Sequence, residues 1–409
     1  MKLLVLSQFF PYPPNNGSRL RVYNLLKDLA QQHCIHLLSF RQEEDHSDGL
    51  KTLRQICEHV ETIPCREFKP NGLRALMGFC SMRPRSSVDL WDPCMSELVE
   101  HEIINHKPDA IIAFTLRCAE YVSEYSQIPK IVDLENVDGA YINRLSEAQE
   151  SWLSKFRLKL TRIKLVRHER RLTNKFSAVL TVSEEDRCEL IRTAPELATH
   201  SSTFVVPNGV DLSLLDYQGP PREPNRIIYS GSLTYTANYD GCLTFCREVL
   251  PMIREQLPDA RFVITGSHDN IDIAPFVEAG VELTGQVPDI RPEVARSSVL
   301  VVPLRFGGGT RLKILEAMAL GTPVVSTTVG AMGINGVSGK HLALADEPEE
   351  FARAVCTVMS DSSLAMRLSA EGRQLVAEHF GWDTISSKLK TILQNIETGA
   401  RRECAISAE

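Results

Sequence analysis

Short apolar runs punctuate this chain, and between them apolar residues fall three and four positions apart. The first pattern suits strands buried on both faces, and the second suits helices with one covered side. In the first half, Leu3–Ser7, Ile35–Phe40, Ala110–Phe114, Lys130–Leu134, Ala178–Val182 and Thr203–Val206 read as strands. In the second half the strands are Arg226–Ser230, Arg261–Gly266, Val281–Thr284, Val299–Leu304 and Pro323–Thr327. Helical spacing is clearest after Ser18, which can cap a helix carrying Leu20, Tyr23, Leu25, Leu26, Leu29 and Ala30, and over Cys242–Gln256 and Arg311–Leu320. Strands that alternate with helices predict an α/β chain of βαβ units with parallel sheets. Near mid-chain the alternation is interrupted from Pro207 to Pro224, which reads as a linker. The predicted organisation is residues 1–208, a linker at 209–225, a second α/β half at 226–383, and a last helix near 384–400.

At 409 residues there is room for about two domains. The net charge of −7 argues against wholesale nucleic-acid binding. The 11 cysteines form no Cys-x-x-Cys pair, which predicts reduced thiols in a cytoplasmic protein rather than a disulfide frame or a zinc site. The apolar start at Lys2–Leu6 is too short for a signal peptide, and no run of roughly 18 apolar residues suggests a membrane span. One stretch changes this picture. From Ser151 to Lys175 nine Lys or Arg and one Glu are interleaved with Leu153, Phe156, Leu158, Leu160, Ile163, Leu165 and Leu172. A basic amphipathic helix suits peripheral contact with the inner face of an anionic membrane, and it equally suits a solvated helix packed on its own domain.

The chemistry concentrates in Gly307-Gly308-Gly309-Thr310-Arg311-Leu312-Lys313-Ile314-Leu315-Glu316-Ala317. Three glycines follow an apolar run and open a helix that Gly321 and Pro323 stop. Such a helix start offers backbone N–H groups to an anion. Arg311 and Lys313 in the first turn oppose the helix dipole at a cost of a few tenths of a kcal/mol, and a bound diphosphate reverses that sign. Glycine-rich turns without a ligand are also common in α/β proteins, so spacing alone leaves both readings open.

The stretch resembles the donor-binding motif of glycosyltransferase family 4, in its GGGTRLKILEA variant. The resemblance implies a GT-B fold, with two Rossmann-like α/β/α domains facing across a cleft and a C-terminal helix crossing back to the first. It implies a retaining enzyme that moves a sugar from a nucleoside-diphosphate sugar to an acceptor hydroxyl, in cell-surface polysaccharide or glycolipid synthesis. The second Glu of the family's Glu-x7-Glu pair, which holds the nucleotide ribose, matches Glu316, whereas the first falls at Gly308. The loop of Gly231 and Ser232 is similar to a family loop that carries an Arg and a following Lys; here Ser232 and about Asn238 stand in those places. Arg311 and Lys313 are the expected substitutes, stabilising the leaving diphosphate. Gly266, Val287, Gly308, Gly309, Thr310 and Leu315 complete the donor set that the resemblance implies.

On the acceptor side Asn16 and Gly17 match a Gly-Gly loop, and Glu135 stands where relatives carry a His that points at the reacting sugar, with Asp138 nearby. Asn16 is expected to tolerate a left-handed backbone. No Asp-x-Asp occurs, so cations rather than a metal are expected to neutralise the diphosphate, and no cofactor is implied. The expected partners are a nucleotide sugar and a sugar, lipid-linked or small-molecule acceptor. Rival readings are a GT-B nucleotide-sugar 2-epimerase, a non-catalytic nucleotide-sugar-binding protein, and a dinucleotide oxidoreductase, the last disfavoured because Ser7-Gln8-Phe9-Phe10 replaces a glycine-rich fingerprint.

Overall fold

The computed structural model describes residues 1–42, 47–147, 151–198 and 202–406. It divides into two compact units, Met1–Asn208 together with the C-terminal stretch from Asp383, and Gly209–Trp382. The first unit holds seven strands: β1 Lys2–Ser7, β2 Cys34–Arg41, β3 His59–Pro64, β4 Ala110–Phe114, β5 Lys130–Leu134, β6 Ala178–Thr181 and β7 Ser202–Val205. They lie in the order β3-β2-β1-β4-β5-β6-β7, and every pairing is parallel. The second unit holds six: β8 Arg226–Ser230, β9 Arg261–Thr265, β10 Glu282–Gly285, β11 Val299–Val302, β12 Val324–Ser326 and β13 Ala343–Leu344. Their order is β10-β9-β8-β11-β12-β13, again all parallel. Both are Rossmann-like α/β units.

Helices on both faces explain the unbroken apolar runs, since a parallel sheet has no solvated face. Leu3, Leu4, Val5 and Leu6 are all buried, as are Val299 to Val302. The sequence reading missed β3 and β13. In His59–Pro64 only Val60 and Ile63 are buried apolar residues, because the strand lies at the sheet edge with one flank open. The last helix, Trp382–Ile406, buries Ile385, Leu389, Ile392 and Leu393, and Lys390 Nζ pairs with Asp28 Oδ2 at 2.6 Å. Asp28 lies on the first helix, Gly17–Leu29, so the C-terminal helix is part of the first unit.

Two expectations need correction. The stretch expected as Cys242–Gln256 is helical from Thr236, with a π turn at Phe245–Val249 before Leu250–Gln256. Pro251 lacks an N–H and its ring crowds the carbonyl four residues back, and a wider turn absorbs both. The stretch expected as a linker packs within the second unit. Asp211 caps a 3-10 turn at Leu212–Asp216, Arg222 donates to the Gly321 carbonyl at 2.8 Å, and a Cβ at Gly209 would stand 2.7 Å from the Trp382 ring.

Candidate functional site

Loops that follow parallel strands converge at the carboxyl edge of each sheet, where α/β proteins place their ligands. In the first unit a cavity of about 320 Å³ lies there. Its lining includes Gln8 after β1, Thr115 after β4, Glu135 and Asp138 after β5, Ser18 on the first helix, and His168. Thr115 holds φ +80 and donates to Gln8 Oε1 at 2.8 Å. A β-branched residue in that region is strained and is held there by its surroundings. Below it Arg21, almost fully buried, grips Asp133 through both Nε and Nη2 and donates to the Pro207 carbonyl and to Asn208 Oδ1.

Glu135 accepts from the Ser18 hydroxyl through Oε2, while its buried Oε1 has no partner. Burial pushes its carboxyl up to about 7, aided by the Asp133 charge and opposed by the Ser18 hydrogen bond and Arg21. Asp138 opens the helix Asp138–Glu147, and burial raises it to about 6 against the pull of His168. The Asp138 N–H donates to Glu169 Oε1 at 3.1 Å, so a buried carboxylate from the helix Trp152–Thr173 satisfies this helix start. His168 lies 2.7 Å from Glu120 Oε1. Asn16 and Gly17 lie outside the cavity lining. The left-handed tolerance expected of Asn16 is unused: its φ is −145, and its side chain caps the first helix by accepting from the Arg19 N–H at 3.0 Å.

In the second unit the loops after β8 and β9 touch backbone to backbone. Gly231 has φ +150 and Gly266 φ +127, and a Cβ on Gly266 would stand 2.6 Å from the Gly231 carbonyl carbon. Only glycine permits both the angle and the approach. Ser232 Oγ donates to the Ser267 carbonyl at 3.0 Å, locking the two loops. Gly309 takes φ +74, and the helix Leu312–Ala319 follows with Arg311 at its N-cap, one residue later than expected. Gly321, at φ +78, ends it as expected.

Lys313 is the centre of this cluster. Its Nζ donates to the Tyr229 hydroxyl at 2.6 Å and sits 3.8 Å from that ring's centroid. Tyr229 in turn donates to Asn238 Oδ1 at 2.6 Å, and Asn238 Nδ2 donates to the Ser232 carbonyl at 2.7 Å. A Cβ on Gly231 would stand 2.6 Å from Lys313 Nζ, so this ammonium group reaches the Gly231 loop beside Asn238. Burial lowers Lys313 to about 7, with the Arg311 charge acting the same way and Glu316 opposing. Glu316 is half-buried and held above the usual carboxylate range by burial. The Arg311 guanidinium folds back onto the Gly308 and Gly309 carbonyls. The Leu315 side chain is fully buried in the core, Thr310 is nearly so, and Val287 is half-exposed after β10.

Thus the structure gathers Gly231, Ser232, Gly266, Gly308, Gly309, Arg311 and Lys313 at one sheet edge, and Glu135 with Asp138 at another. As cavity residues, Ser18, Thr115 and His168 were missed by sequence reading. Their one legible signal is position, because Thr115 directly follows an apolar run.

Residues 224–361 match the Glycosyl transferases group 1 family. Over 404 residues the chain is 20% identical to an uncharacterized 44.6 kDa protein in the cps region of Klebsiella pneumoniae, covering 95% of this chain and 98% of that one. It is 27% identical to glycogen synthase of Mycobacterium tuberculosis over 214 residues, 48% of this chain and 50% of that one. Among solved structures, sucrose-phosphate synthase from Thermosynechococcus elongatus superposes with a TM-score of 0.71 at 17% identity, over 98% of this chain and 100% of that one. HepE of Anabaena in complex with UDP-glucose superposes with a TM-score of 0.67 at 16% identity, over 97% and 100%. The fold is that of GT-B glycosyltransferases, and the second unit carries a glycosyltransferase group 1 domain.

Proposed function

We propose that this chain is a retaining, metal-independent glycosyltransferase of family 4 type that moves a sugar from a nucleoside-diphosphate sugar to an acceptor hydroxyl. The observation that carries this reading is Lys313, whose ammonium group is held by Tyr229 against the Gly231 loop beside a glycine-rich helix start. Lys313 and Arg311 supply the positive charge that a departing diphosphate requires. Glu316 takes the ribose hydroxyls. In the first unit, Glu135 Oε1 accepts a hydrogen bond from the acceptor hydroxyl and takes its proton as the oxygen attacks the anomeric carbon. The sugar–phosphate bond breaks on the face where the new bond forms, so the leaving diphosphate carries away the electron pair and the configuration is retained. The relative from a cps region and the match to glycogen synthase support polysaccharide or glycolipid synthesis as the setting.

The location follows as part of the proposal: cytoplasmic, and peripheral at the inner face of the membrane. No helix among the described residues is long and apolar enough to cross a membrane. Trp152, Phe156, Leu160 and Ile163 are exposed on one face of the helix Trp152–Thr173, and Leu73 and Met77 on the short helix Leu73–Met77, with Phe79 and Met82 just after it, are exposed as well. Lys164 Nζ donates to the carbonyls of Gly78, Phe79 and Ser81, so that segment packs against the helix. Arg162, Arg167, Arg170 and Arg171 of this helix and Arg192 of the helix Glu184–Thr193 line a groove of about 780 Å³ that suits anionic headgroups, with Arg162 and Arg192 paired to Glu189 and Arg170 to Glu196.

The test is calorimetric binding of UDP-, GDP- and ADP-sugars in the presence of a chelator, followed by product analysis with and without acceptor. One donor should bind, and Lys313→Met should weaken it about 10- to 100-fold, the worth of a hydrogen bond to a charged group. Binding untouched by Lys313→Met rejects the donor site. Interconversion of donor sugars without acceptor identifies an epimerase instead.

A further inference from the structure

At the opposite ends of the first unit's strands, away from the Glu135 cavity, four side chains converge that the proposed transfer does not use. His36 is the third residue of β2 and His59 the first of β3. Glu102 and His106 lie one turn apart at the end of the helix Pro93–His106. Glu102 is 3% exposed, and its Oε2 lies 2.7 Å from His36 Nδ1. Its Oε1 faces His59 Nε2 at 3.7 Å and His106 Nε2 at 3.8 Å.

The last two spacings are too long for hydrogen bonds. They approach the roughly 3.4 Å that separates two ligand atoms each about 2.1 Å from a tetrahedral zinc ion. The ligand atoms of His36, Glu102 and His106 all lie within 4.8 Å of one another. A cavity of about 10 Å³ borders these three residues together with Lys2 and Pro108, which is space for about one water-sized occupant.

We propose that His36, Glu102 and His106 bind one divalent transition-metal ion of the zinc type, with solvent completing its coordination. Imidazole nitrogens with a single carboxylate suit zinc over calcium or magnesium, which prefer all-oxygen sites. The ion would clamp the end of the Pro93–His106 helix to the start of β2. It lies at the strand ends remote from Glu135, so its role is to stabilise the first unit and not to take part in sugar transfer. Binding to the folded state alone raises stability by mass action.

The experiment uses tag-free, full-length protein stripped with a chelator and dialysed, titrated with Zn²⁺ by calorimetry, with Co²⁺ absorption as the spectroscopic readout. One Zn²⁺ should bind per chain and raise the melting temperature, and Co²⁺ should show a tetrahedral spectrum. His106→Ala, at a half-exposed position that leaves the fold intact, should weaken binding at least about tenfold and abolish the melting shift. Glu102→Gln should do the same, whereas His101→Ala on the same helix should bind as the parent does. The absence of stoichiometric binding, or binding unchanged in His106→Ala, overturns the proposal. Loss in Cys34→Ser with His106→Ala unaffected also overturns it, by moving the ion to the neighbouring Cys34, His36 and Glu58 cluster.

Discussion

Two residues set the proposed chemistry, and their environments tune them toward one another. Glu135 is raised to about 7 by burial, and Lys313 is lowered to about 7 by the same cause. The carboxylate acts only when ionised, so activity should fall as pH drops below 7. The lysine holds a diphosphate only when protonated, so donor binding should fall as pH rises above 7. A bell-shaped kcat/KM centred near neutrality is the expected profile. Glu135→Gln should lower kcat about 10²- to 10⁴-fold while leaving donor affinity within about twofold. A kcat that survives this change removes Glu135 from the reaction. Ser18 belongs to the same account, since its hydroxyl holds one carboxylate oxygen and leaves the other for substrate.

Among the elements, the helix Trp152–Thr173 has the most divided faces. His168, Glu169 and Leu172 are buried against its own unit, where Glu169 receives the N–H of Asp138. Gly139 permits this packing, since a Cβ there would stand 2.6 Å from Val166 Cγ2. The other face offers Trp152 at 73% exposure and Phe156 at 58%, with lysines and arginines following along the helix. Burying two such aromatic side chains in a lipid interface is worth about 1.5–3 kcal/mol each. Trp152→Ser/Phe156→Ser should therefore cut co-sedimentation with vesicles containing anionic lipid at least about tenfold, with the melting temperature unchanged. Wild-type binding should weaken as salt rises, through screening of the arginine groove. Equal binding by parent and variant removes this face from membrane contact.

For the molecule as a whole, the buried pair of Arg21 and Asp133 ties the first helix to the end of β5, to the Pro207 carbonyl and to the Asn208 side chain. Asp133→Ala leaves a buried guanidinium without its carboxylate, at about 3–5 kcal/mol. A thermal scan should show a transition lowered on the order of 10 °C. Arg21→Leu combined with Asp133→Leu should recover much of it, and an unshifted scan in Asp133→Ala contradicts this role for the pair. Neither residue announced itself in the sequence, because a buried ion pair spans positions 112 residues apart. The parallel strands were legible because a sheet covered on both faces needs unbroken apolar runs, and Ala110–Phe114, Lys130–Leu134 and Arg226–Ser230 were read at their observed bounds. The edge strand His59–Pro64 escaped because an uncovered flank relaxes that demand. Local chemistry was likewise readable: three glycines before a helix, two cations in its first turns, and a glycine after its end. Tertiary structure alone decided that Lys313 reaches Tyr229 and the Gly231 loop, that Leu315 turns into the core, and that Ser18, Thr115 and His168 join Glu135 around one cavity. Periodicity and turn chemistry act over a few residues and are written along the chain, whereas a site assembled from the ends of separate strands exists only once the sheet has brought them together.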